Sequence, residues 1–172
     1  MRYHKAVKKS LLAAVLIGST TAAHAHGNNQ HNAAAHGAHS AMTIPAEQKA
    51  WGIAGDPKKV DRVITIQMTD NMRFTPSQLT IKKGETIRFD VKNAGAVMHE
   101  MVIGTKQELD QHAAMMKKHP NMEHDEPYMA HVGPKKTGQL VWQFNREGDF
   151  DFACLIAGHY EAGMLGKIRV TP

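Results

Sequence analysis

From residue 60 onward, apolar and polar residues alternate with period two, in short runs broken by Gly, Pro, Asn and charged turns. Thr86-Ile87-Arg88-Phe89-Asp90-Val91 is the cleanest run and predicts a strand with one buried face. Residues 60–68, 79–81, 98–103, 139–144, 149–153 and 165–170 read the same way, and Lys82-Lys83-Gly84-Glu85 reads as a turn. Roughly seven short strands with this punctuation predict an all-β fold, a Greek-key β-sandwich.

One short α-helix interrupts the strands. Thr105-Lys106-Gln107-Glu108 has the spacing of a capping box, and Pro120 marks a stop just after His119. His112, Met115, Met116 and His119 fall at i, i+3, i+4 and i+7, so such a helix carries them on one face. Two Met-x-His units follow, Met122-Glu123-His124 and Met129-Ala130-His131. The segment 105–134 therefore reads as a Met/His-rich insertion into the sandwich.

The first 25 residues have the plan of a secretory signal peptide: Arg2, Lys5, Lys8 and Lys9, an apolar stretch over 11–18, and Ala23-His24-Ala25 as cleavage site. The apolar stretch is shorter than the roughly 20 residues a bilayer span needs, so no membrane span is expected after its removal. The mature chain is expected in the periplasm. The chain has 21 Lys and Arg against 16 Asp and Glu, but those four cations precede residue 26 and no acidic residue does. What remains is close to neutral, which removes the support for a nucleic-acid partner. Residues 26–59, rich in Ala, Gly, Asn and His, offer little to bury and predict a flexible, disordered tail, with Trp51 able to dock it. The folded domain is expected over 60–172.

The chain has one cysteine, which excludes an internal disulfide and leaves an unpaired thiol to explain in an exported protein. Cys154 opens the run Cys154-Leu-Ile-Ala-Gly-His159-Tyr-Glu-Ala-Gly-Met164, between two predicted strands. Thiolate, imidazole and thioether in one short loop are three of the four donors of a mononuclear type 1 copper site; a second imidazole completes it. His99, at the edge of the apolar run 97–103, is the candidate for that fourth donor. The alternative is a small buried cysteine beside an ordinary core methionine, which leaves His159 and the glycines at 158, 163 and 166 unexplained.

On these residues the segment 60–172 resembles the cupredoxins, the group that includes plastocyanin, azurin, rusticyanin and the phytocyanins. The C-x4-H-x4-M spacing is like that of rusticyanin and the phytocyanins. His99-Glu-Met-Val-Ile-Gly104 and the Met/His-rich segment after it resemble the periplasmic copper-tolerance cupredoxins of the CopI type. The resemblance implies one copper, cycling between Cu(II) and Cu(I), with electron exchange through a preformed β scaffold. One departure is Glu100: many cupredoxins have Asn or Ser directly after the first histidine ligand, tying the ligand loops together.

Two further clusters are candidates for accessory Cu(I). The first is His112, Met115, Met116, His119, Met122, His124, Met129 and His131; its alternative is a Met face packed on the core and extended by Leu109. The second is the tail set His26, His31, His36 and His39 with Met42, whose alternative is a polar leader.

The function expected is copper tolerance, by binding, buffering or redox handling of copper ions, in contact with a periplasmic redox or copper-handling protein. The alternative is a dedicated shuttle between respiratory partners, which needs one metal only. An enzyme is not expected: Ala153 and Leu155 flank Cys154, so the His-Cys-His bridge of the multicopper oxidases is missing.

Overall fold

The computed structural model describes residues 46–120, 122 and 124–172. The predicted signal peptide and the tail residues His26, His31, His36, His39 and Met42 lie outside them. Along the described chain run β1 (Ile53–Ala54), β2 (Arg62–Thr69), β3 (Arg73–Thr75), β4 (Gln78–Lys82), β5 (Thr86–Asn93) and β6 (His99–Gly104). Then come α1 (Lys106–Lys118), β7 (Met129–Val132), β8 (Thr137–Gln143), β9 (Gly148–Ala153) and β10 (Leu165–Thr171).

The strands form two five-stranded sheets, ordered β1-β8-β5-β2-β3 and β4-β10-β9-β6-β7. β2 is parallel to β5 and β4 to β10, and the other pairs are antiparallel. Apart from β2–β3, β6–β7 and β9–β10, sheet neighbours are not consecutive in sequence, as in a Greek-key sandwich. The alternation sorts the side chains as expected: in β5, Ile87, Phe89 and Val91 are buried between the sheets, while Arg88 pairs with Asp90 at 3.1 Å on the outer face.

Strand β6 departs from alternation because all six of its residues are buried. Met101 and Ile103 enter the main core with Phe89 and Phe152. Val102 points the other way, into a second cluster with Leu109, Ala113 and Met116 of α1. A strand covered on both faces reads as a continuous apolar run. The helix begins at the predicted box: Thr105 accepts from the Glu108 amide, and the Glu108 side chain accepts from the Thr105 amide.

Two expectations are corrected. The tail ends earlier than residue 59, for Trp51 is 3% exposed, stacks on Trp142 at 6.4 Å and meets Tyr128 edge-on at 5.7 Å. The Trp142 indole N–H donates to the Trp51 carbonyl across 3.1 Å, and β1 then pairs with β8. Burying one large aromatic offsets the cost of ordering an otherwise polar segment. Gly52 makes the approach feasible, since a Cβ there would lie 2.2 Å from the Gln143 carbonyl oxygen. The second correction concerns Met129-Ala130-His131, which is not a free Met-x-His unit. With Val132 it forms β7, paired to β6, and Met129, Ala130 and Val132 are buried. No helix among the described residues is long and apolar enough to cross a membrane.

Candidate metal centre

His99 opens β6, and Cys154 directly follows β9, the neighbouring strand, so the sheet sets these two side by side. The loop from Cys154 to Met164 is pinned at both ends. The Cys154 amide donates to the Met164 carbonyl and the Met164 amide to the His159 carbonyl, each across 3.1 Å. Gly158 and Gly163 turn the chain with φ of +91° and +88°, the left-handed region that glycine enters without a Cβ clash.

The result is a convergence of donors. One ligating atom from each of His99, Cys154 and His159 lies within 4.8 Å of the others. Cys154 Sγ is 3.3 Å from His159 Nδ1, and the two imidazole rings are 4.9 Å apart, centroid to centroid. His99, Cys154 and Met164 are fully buried, whereas His159 is half-buried at the surface.

His99 provides a direct test of fit to a metal. Its Nε2 lies 3.1 Å from Asp70 Oδ1, while its Nδ1 is buried without a hydrogen-bond partner among the described residues. A carboxylate behind one ring nitrogen holds the proton there and leaves the lone pair of the other facing inward, the support found behind metal-binding histidines. An unpartnered buried acceptor costs roughly 1–3 kcal/mol, and a metal ion removes that cost. Asp70 is itself fixed by the Ala96 amide, which with His99 holds its carboxyl below the usual carboxylate range. Burial pushes the Cys154 thiol up to about 12 and lowers His159 below the usual imidazole value. Without a metal the site therefore sets a protonated thiol beside a His159 imidazole that gives up its proton readily, prepared to exchange the thiol proton for a cation. One thiolate with two imidazoles is the donor set of mononuclear copper.

The family model of copper-binding proteins, plastocyanin/azurin family, matches residues 60–171. The chain belongs to this family. Among relatives of this cupredoxin, the "Copper-resistant cuproprotein CopI" of Rubrivivax gelatinosus is 39% identical over 167 residues, covering 97% of this chain and 98% of that protein. The protein of the same name from Vibrio cholerae is 34% identical, covering 95% of this chain and 99% of its own. The Pseudomonas aeruginosa protein is 32% identical over 77% and 89%. Among solved structures, auracyanin B matches with a TM-score of 0.57 at 18% identity, over 72% of this chain and 97% of its own. Reduced auracyanin from Roseiflexus castenholzii gives 0.56 at 22%, over 66% and 99%. These two establish likeness of fold, and the copper-binding family is shown by the sequence match.

Around the centre, this cupredoxin adds Glu100, noted in the sequence as a departure, and several residues to which the sequence pattern assigned no role. Glu100 takes the tying role: its Oε1 accepts the Leu155 amide at 2.7 Å, and its own amide donates to Cys154 Sγ at 3.4 Å. The helix grips the loop twice, with the Tyr160 hydroxyl donating to Asp110 at 2.7 Å and Lys117 pairing with Glu161 at 2.7 Å. Arg73 adds a third hold by donating to the Ala162 carbonyl at 2.9 Å. Each contact joins residues far apart in sequence and carries no motif, so only the position of Glu100 was a signal.

The helix residues expected to share one face are divided. Met116 is buried against the second core cluster beside Leu109, while Met115 and His119 are exposed. Met129 is buried within β7 and Met122 is exposed. His112 and His124 come together at a ring separation of 4.8 Å, and His131 stands 6.3 Å from His124.

Proposed function

We propose that this cupredoxin is a periplasmic copper-tolerance protein in which His99, Cys154, His159 and Met164 hold one type 1 copper. The assignment rests on the convergence of one donor atom from each of His99, Cys154 and His159 within 4.8 Å, together with a buried His99 Nδ1 that has no hydrogen-bond partner among the described residues. Bound there, copper supplies a one-electron couple between Cu(II) and Cu(I). The protein's part is to keep the donors in one arrangement. Asp70 orients His99, Glu100 fixes Leu155 beside the thiolate, and the helix contacts at Tyr160 and Glu161 hold the loop carrying His159 and Met164.

Tolerance rather than a dedicated shuttle is favoured by two points. The relatives that match nearly the full chain carry copper resistance in their names. The chain also sets four methionines and four histidines between residues 112 and 131, a surplus a one-metal shuttle does not need. We read the protein as a binder and redox carrier, not an enzyme, because four side-chain donors leave no open coordination position for a substrate. Val97 and Met98 are 44% and 48% exposed beside His99 and give a periplasmic redox or copper-handling partner an apolar surface. The periplasmic assignment follows from the signal-like first 25 residues.

The test is copper titration with visible spectroscopy on the wild type and Cys154→Ser, alongside gene deletion. An intense absorption that Cys154→Ser abolishes, and a deletion strain sensitive to copper with respiration intact, are the expected results. Absorption unaffected by Cys154→Ser would reject the centre, and loss of respiration without copper sensitivity would reject the tolerance role.

A further inference from the structure

We propose that His112 and His124 form a second site for a soft monovalent cation, Cu(I), between α1 and the segment leading into β7, with thioether donors from Met116 and Met122. The copper-handling reading above supplies the identity of the ion, while the site itself stands on separate residues.

The two imidazoles lie 4.8 Å apart, tilted by 45°. Three of their ring nitrogens, His112 Nε2 and both nitrogens of His124, are buried and have no hydrogen-bond partner among the described residues. A neutral imidazole has one donor and one acceptor, so burying both of His124 without partners is a cost that folding alone does not recover. Burial, reinforced by the neighbouring His124, lowers His112 below the usual imidazole value, which keeps a lone pair free for a metal at neutral pH.

The surroundings fit a soft cation. On the His124 side a cleft of about 390 Å³ is lined by Met98, Glu100, Met116, Met122, His124 and Ile156 among others, while His112 borders a separate cleft beside Leu109 and Met115. Thioether and imidazole together select Cu(I) over harder divalent ions. Glu100, buried in its wall, and Asp125, at its mouth, give the cleft a negative potential that favours a cation.

His131 belongs to this cluster as a positioning residue. Its Nε2 lies 3.0 Å from the His124 carbonyl and its Nδ1 3.1 Å from Glu100, so both nitrogens are engaged. It anchors the backbone that presents His124. The sulfur-bearing helix face expected from the sequence thus contributes His112 and Met116 to the site, while Met115 and His119 face solvent.

The probe is Ag(I), a redox-inert ion of the same charge and softness as Cu(I), added to the full Cys154→Ser chain so that the primary thiolate takes none. Side-chain 15N NMR should show the His112 and His124 ring resonances shifting together and saturating with one equivalent. Adding His112→Gln and His124→Gln should remove one equivalent of bound Ag(I). In the same pair, competition against a Cu(I) chelator should show that the Cu(I) held at this site is lost. The same pair placed in the Cys154 background, titrated with Cu(II), should keep the visible absorption, which verifies folding. Shifts confined to His119, His131 or the tail histidines would overturn the proposal, as would unchanged Ag(I) capacity in the double variant. Zn(II) shifting the two rings ahead of Ag(I) would overturn the soft-ion assignment. Failure of the primary centre appears only in the visible spectrum, so the two readings fail separately.

Discussion

Glu100 and His131 face each other across β6 and β7, with the carboxylate Oε2 3.1 Å from the imidazole Nδ1, and this pair lies one residue from His99. The other carboxylate oxygen receives the Leu155 amide, next to Cys154. One buried side chain thereby links the 154–164 loop to the Met/His-rich segment.

Glu100→Ala should leave the buried Leu155 amide without an acceptor, at a cost of about 1–3 kcal/mol in chemical denaturation of the metal-free protein. Glu100→Gln keeps an acceptor and should cost less. Both remove negative charge beside the thiolate, which favours Cu(I) over Cu(II), so the reduction potential should rise in voltammetry. A potential that falls or stays fixed would contradict this role.

The same pair sets a pH dependence. The hydrogen bond to Glu100 raises His131 above its ordinary value of 6.5. A raised pKa means the folded state holds the proton more tightly, so the contribution is complete below that ordinary value and is lost as pH rises through the folded one. His131→Gln should therefore lower Tm more at about pH 5.5 than at about pH 8. An equal loss at both would show that the pair contributes only through packing.

Copper loading should release a proton from Cys154, whose buried thiol has been pushed up to about 12. Titration of metal-free protein with Cu(II) in weak buffer, followed with an indicator dye, should register that proton, and Cys154→Ser should abolish it. Binding should weaken as pH falls, since protons compete with the metal for the sulfur.

Tyr160→Phe removes the hydroxyl that ties the loop to Asp110. Hydrogen exchange should speed up at the Ala162, Gly163 and Met164 amides, whose bonds to Gly158, Tyr160 and His159 carbonyls close the turn. Exchange in β5, remote from the helix, should not change.

The parts of the molecule legible in the sequence were those encoded by local spacing. Period two in β5 and β10, the Thr105–Glu108 box and the Cys154-His159-Met164 run each lie within a few residues, so periodicity and donor chemistry suffice to read them. β7 was hidden because Met129 and His131 resemble soft-metal ligands, and only pairing with β6 shows that Met129 serves the core. β1 was hidden because two residues beside Gly52 and Gly55 carry no period, and one tryptophan does the anchoring. Asp70 behind His99 and Asp110 under Tyr160 depend on separations of 29 and 50 residues, which no local pattern reports.

The match to the family model begins at residue 60, but the aromatic lid starts before it. With Trp51 seated against Trp142 of β8 and Tyr128 just before β7, the stretch before β2 serves as a hasp that touches both sheets. A chain shortened to the matched region would keep every metal-binding side chain of the primary centre yet expose an indole that now meets no water.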